Sequence, residues 1–133
     1  MPFNSDNMLY LKLKQLQFEH DTWRRLLGFM MDENNHIKNR HADLLSNSLG
    51  NHFSDKLDRF PKKIIQQDEQ IRLLHHYLVE LEQLLGREIF ENGNTPVKVE
   101  NKLAQLRNNI MLAEIQFGNL QLSFNNYLSE NYR

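Results

Sequence analysis

The sequence predicts an all-α protein, an up-down-up antiparallel bundle of three long helices with coiled-coil-like heptad seams. Two observations lead there. Apolar residues recur at alternating intervals of three and four along three long stretches, a helical period. Only short segments, around "SNSLGNHF" and "ENGNT", separate the stretches, and short connections make successive helices antiparallel neighbours. Nowhere does the chain alternate apolar and polar residues with the period of a strand.

The first seam reads Leu9, Leu13, Leu16, His20, Trp23, Leu27, Met30, Asn34, Ile37, His41, Leu44. Eight of its eleven members are apolar, and such a run predicts a helix over about 6–46. Asn4, Ser5 and Asp6 offer N-caps, because their side-chain oxygens can accept from the first free backbone N–H groups. The second seam reads Leu57, Phe60, Ile64, Gln67, Ile71, Leu74, Leu78, Leu81, Leu85, Glu88. Pro61 interrupts it, since proline lacks an N–H and disfavours helix at the preceding residue. The expectation is a short helical piece over about 53–60 and a main helix over about 61–91, with Pro61 at its first position and Gly93 near its end. The third seam reads Val99, Leu103, Leu106, Ile110, Ala113, Phe117, Leu120, Phe124, Tyr127. It predicts a helix over about 96–129, opened by the Thr95–Pro96 pair.

With a first turn near Gly50, residues across the first hairpin pair when their numbers sum to about 101. Asn34 then faces Gln67, Ile37 faces Ile64, Leu27 faces Leu74 and Trp23 faces Leu78. A second turn near Asn94 brings Leu78 to Ile110 and Ile71 to Phe117. Asn34 and Gln67 are thus expected to form a buried polar layer, a device that fixes register at some cost in stability. His20 is expected near Leu81 and Leu106, and His41 near Phe60 and Tyr127. The arrangement resembles the three-helix pattern of spectrin-type repeats; the likeness is of pattern, and a shared fold carries no function by itself.

A length of 133 residues suits one domain, able to bury a core without cross-links. Sixteen basic against seventeen acidic residues, a net charge of −1, leave no concentrated positive field for nucleic acid. "RFPKK", from Arg59 to Lys63, is the densest basic stretch, and Asp55, Asp58 and Asp68 dilute it. With no cysteine, disulfides, thiolate catalysis and cysteine-based metal sites are excluded. No apolar run approaches the roughly 20 residues of a membrane span, and the N-terminus lacks the pattern of a secretory signal. A cytoplasmic location is expected, with neither membrane nor nucleic acid as partner.

One motif points to chemistry. Glu33 and His36 form a Glu-x-x-His on one helical face, half of the carboxylate-bridged di-metal signature of helical bundles. That site needs a second Glu-x-x-His and two further carboxylates. The chain carries one copy, so only a dimer could complete it, with help from positions such as Glu69 or Glu80. The competing reading is a solvated face shared with Asn35, Lys38, Asn39 and Arg40, and it is preferred. His75 and His76 point about 100° apart and cannot chelate together. No phosphate-binding loop or activated nucleophile is present. No catalytic residue and no cofactor are therefore expected.

The remaining signal is apolar surface beyond what three seams use. Leu11, Phe18, Leu26, Phe29 and Met31 lie off the first seam; Leu73 and Val79 off the second; Met111, Leu112, Ile115 and Leu122 off the third. Either the core is broader than a strict heptad or these residues meet another chain. The second reading is favoured: a non-enzymatic bundle acting through protein–protein contact, as a homodimer or with another protein. Leu11, Phe18, Phe29, Ile115 and Leu122 are the expected interface. Gly28, Gly86 and Gly118 each follow a seam residue, which would suit close approach of another helix.

Overall fold

The computed structural model describes residues 5–47, 55–87 and 97–131, and their side chains over 11–46, 59–85 and 97–130. All described residues are helical: α1 is Ser5–Asn47, α2 is Asp55–Arg87 and α3 is Val97–Asn131. The expected caps at Asn4 and Thr95–Pro96, both turns, and the side chains of Leu9, Leu57 and Glu88 lie outside this description.

The three helices pack against one another, α1 and α3 approaching least closely. At 1.5 Å per residue they are about 65, 50 and 52 Å long. The core is correspondingly a narrow column. α1 supplies Leu16, Leu27, Met30, Ile37 and Leu44; α2 supplies Phe60, Ile64, Ile71, Leu74, Leu78 and Leu81; α3 supplies Val99 to Tyr127 at intervals of three and four. Leu13, Trp23 and Leu85 pack against it half-buried. Helix propensity alone would not hold segments of this composition in water; burial of one face does.

α2 departs from the sequence expectation. Pro61 does not begin the helix but lies inside it, well past Asp55. Its ring nitrogen cannot donate to the carbonyl four residues back. Packing on both sides of the proline partly compensates. Phe60 and Ile64 are both buried. The Phe60 ring meets Phe124 edge-on at 5.1 Å between centroids, Tyr127 at 5.6 Å and His41 at 6.5 Å. This aromatic cluster ties the start of α2 to α1 and α3 and offsets part of the loss of the hydrogen bond.

Cross-helix pairs follow a consistent order. Between α1 and α2, His20 Nε2 lies 3.4 Å from Glu82 Oε2 and Lys38 Nζ 3.1 Å from Asp68 Oδ2. Between α2 and α3, Gln67 Nε2 donates to the Ala113 carbonyl at 3.3 Å, and Lys102 Nζ lies 2.6 Å from Glu80 Oε2. In both cases the partner's number falls as the residue's number rises. Between α1 and α3 the numbers rise together: Lys12 with Glu100 at 3.7 Å, Glu19 with Arg107 at 2.6 Å, and Glu33 with Gln121 at 3.4 Å.

The off-seam apolar residues divide into two groups. Leu26 and Met31 are half-buried against the core, so the core is locally broader than a strict heptad. Leu11, Phe18, Phe29, Leu73, Val79, Met111, Leu112, Ile115 and Leu122 are exposed. The space beside two of the glycines is open. A Cβ built on Gly28 or Gly118 would meet nothing within 4 Å, so packing within the chain does not require a glycine at either position.

Two outcomes check the packing. Leu27→Ala or Leu78→Ala should lower the unfolding free energy by about 2–5 kcal/mol in urea denaturation, as truncations of buried leucines do; a loss below about 0.5 kcal/mol at both sites would contradict the core described. Pro61→Ala should raise stability by about 1–3 kcal/mol, because it restores an N–H donor inside a formed helix. Destabilisation by Pro61→Ala would mean that the ring's own packing matters more than the lost hydrogen bond.

Candidate functional site

The helices bring together one buried polar layer and leave several apolar faces outward. In the layer, Asn34 is fully buried. Its Nδ2 donates to the Ile64 carbonyl at 3.1 Å and to Asp68 Oδ1 at 2.7 Å. Two acceptors on one side fix the amide's orientation, since the flipped rotamer would set oxygen against oxygen. The enclosed Oδ1 accepts no hydrogen bond from any described residue. Asp68 is itself buried, and its second oxygen accepts from Lys38 Nζ at 3.1 Å. Lys38 is half-exposed at its side chain, so its stem spans the helix surface while the ammonium reaches the buried carboxylate.

Asn34 and Gln67, the two residues of the expected polar layer, are both buried. Their hydrogen bonds go to different partners: Asn34 to Ile64 and Asp68, Gln67 to the Ala113 carbonyl on α3. One amide ties α1 to α2 and the other ties α2 to α3. Asp68 and Lys38 escaped the sequence reading. Each directly follows a seam residue, Gln67 and Ile37 respectively, and opposite charges flanking facing seam positions were the available signal.

The surroundings of His20 also differ from expectation. Rather than only leucines, its ring nitrogens find carboxylates: Nδ1 lies 3.3 Å from Asp21 Oδ1 and Nε2 lies 3.4 Å from Glu82 Oε2. Both distances are long for hydrogen bonds. His41 lies against Phe60, as expected.

Glu33 and His36 do not close a ligand set. Glu33 is half-buried and His36 exposed, both beside Gln121 and Asn125 of α3. Gln121 Nε2 donates to Glu33 Oε2 at 3.4 Å. Among the described residues no three His, Asp or Glu side chains converge on a point that could hold a metal ion. Glu80, a carboxylate that a dimer-spanning site would recruit, is already engaged by Lys102 at 2.6 Å and His76 at 2.9 Å. The hydrogen bond from Lys102 holds its carboxyl below the usual range.

The outward faces are ordered. At about 100° per residue, Leu11, Phe18 and Phe29 lie within about 20° of one direction on α1, and Ile115 and Leu122 lie about 20° apart on α3. These five side chains are 54% to 68% exposed. The constant offset of 88 between paired residues of α1 and α3 sets Leu11, Phe18 and Phe29 level with Val99, Leu106 and Phe117. Only Phe29 of this row is level with the stretch from Ile115 to Leu122; Leu11 and Phe18 lie farther along the bundle. Among the described residues no helix is long and apolar enough to cross a membrane. No protein-family model, no curated protein and no solved structure matches the chain.

The polar layer is open to a direct check. Asp68→Ala removes the carboxylate acceptor of the buried Asn34 amide and should lower stability by about 1–3 kcal/mol. A double-mutant cycle with Asn34→Ala should give a coupling of at least ~0.5 kcal/mol. Additive effects would mean that the 2.7 Å bond contributes nothing in solution.

Proposed function

We propose that this chain is a non-enzymatic, up-down-up antiparallel bundle with heptad seams, whose work is to bind protein through outward apolar faces, in the first instance a second copy of itself. The orientation is supported by the falling order of paired residues between consecutive helices and the rising order between α1 and α3. Heptad seams are supported by burial at intervals of three and four along each helix.

The observation that carries the functional reading is the alignment of Leu11, Phe18 and Phe29 on α1, and of Ile115 and Leu122 on α3, with more than half of each side chain exposed. Single exposed apolar residues are ordinary on soluble proteins; aligned rows of them mark contact with another molecule. A two-fold dimer is the commonest way to cover such a surface. Each large side chain buried there would contribute about 1.5–3 kcal/mol before the costs of association.

Sedimentation tests it. The unmutated chain should run as a dimer at tens of micromolar. The double variant Phe18→Glu with Ile115→Glu should run as a folded monomer, because both positions are exposed in the single chain. A monomeric unmutated chain would refute self-association.

A further inference from the structure

From the charge-free outer face of α3 we infer that the dimer's two-fold axis passes over this helix, so that α3 of one copy packs on α3 of the other near Ile115. The inference rests on the self-association proposed above and adds where and how it occurs.

The exposed apolar residues alone do not separate α1 from α3; the polar residues between them do. On α3, no residue from 97 to 129 lying within about 40° of the direction of Ile115 is charged. That face is made of apolar side chains such as Met111, Ile115 and Leu122, interleaved with the amides Asn108, Asn119 and Asn126, and all of these are exposed. Within the same angular range the face of α1 around Phe29 holds Arg25, Arg40 and Asp43, and the outward positions of α2 include Lys62, Glu69 and Arg72. A solvent-facing helix surface ordinarily carries charge; depletion of charge and enrichment in methionine mark the centre of an interface instead.

Charge also bears on which partner fits. Across a two-fold axis each residue near the axis meets its own copy. A lysine or glutamate there would face a like charge in a place that excludes water, which opposes association strongly. A charge-free face avoids this, and primary amides are self-complementary because each both donates and accepts. A foreign partner would impose no such restriction, so the absence of charge favours a second copy. The face of α3 supplies the larger part of the area a dimer needs. α3 offers a face about 50 Å long and 10–12 Å wide, on the order of 500 Å², against about 800 Å² per partner in a standard interface. Phe29 of α1, exposed and level with the buried Phe117 of α3, can supply part of the remainder. Open space at Gly118 leaves room for the incoming helix.

Opposite charges at one position give a direct test. Ile115→Lys and Ile115→Glu, each alone, should weaken the dimer at least a hundredfold by sedimentation equilibrium, with circular dichroism unchanged. An equimolar mixture of the two should regain a dimer, as a heterodimer carrying one of each. Phe18→Glu alone should weaken association less than tenfold. If Phe18→Glu dissociates the dimer and both Ile115 variants remain dimeric, the axis does not lie on α3, although self-association stands. If both Ile115 variants are folded monomers whose mixture stays monomeric, Ile115 does not face its own copy and the inference fails. If the unmutated chain is itself monomeric at tens of micromolar, the inference falls together with the reading on which it rests.

Discussion

Everything in this protein follows from the narrowness of its interior. Three helices of 43, 33 and 35 residues laid side by side enclose a column scarcely wider than the side chains that fill it. Each helix contributes one stripe, and most residues one position off the stripe are exposed; Asp68 is a buried exception. Such a column is repetitive by nature: sliding one helix by seven residues sets apolar on apolar again. The stability of the seams therefore does not choose among registers. Something less uniform must choose.

Two devices do so. The first is polar burial. Asn34 meets a carboxylate only where Asp68 stands opposite it; displaced by a heptad it would face Pro61 or His75 in place of Asp68, losing a charge-assisted bond at a cost of about 1–3 kcal/mol. The second is the sign of the pairs along α1 and α3. Moved seven residues one way, Lys12 would meet Arg107 and Glu19 would meet Glu114. Moved the other way, Glu19 would meet Glu100 and Glu33 would meet Glu114. Exposed ion pairs stabilise a fold little, but both neighbouring registers bring like charges together, so these pairs act mainly against alternatives. The unpartnered oxygen of Asn34 belongs to the same account. It is a local loss that the arrangement tolerates because the amide's other atom fixes how α1 meets α2.

The seams were legible in the sequence because a narrow core leaves the spacing of apolar residues little freedom. Each expected seam member whose side chain is described lies buried or half-buried. What was not legible depended on partners distant in sequence. Pro61 reads locally as a helix start; only the contacts of Phe60 with Phe124 and Tyr127 explain why α2 already runs ahead of it. Asp68 reads as a surface acid because it lies one place off the seam, and its burial depends on Asn34 and Lys38, some thirty residues earlier. Glu33 and His36 are a different case. The suggestive spacing lies on one helix, and what α3 brings to it is the Gln121 amide rather than a further carboxylate or imidazole among the described residues.

The looseness between α1 and α3 has a consequence for how the molecule responds to its solution. Those two helices approach least closely, and the pairs that span the gap, Lys12–Glu100 and the fork of Arg107 on Glu19, are largely solvated. The seams flanking α2 rest instead on leucine, isoleucine and phenylalanine burial, which ions in water do not screen. Ionic strength therefore does not act on this bundle evenly. Rising salt should weaken the α1–α3 edge most, because the other two edges, which carry ion pairs of their own at Lys38–Asp68 and Lys102–Glu80, rest chiefly on apolar burial.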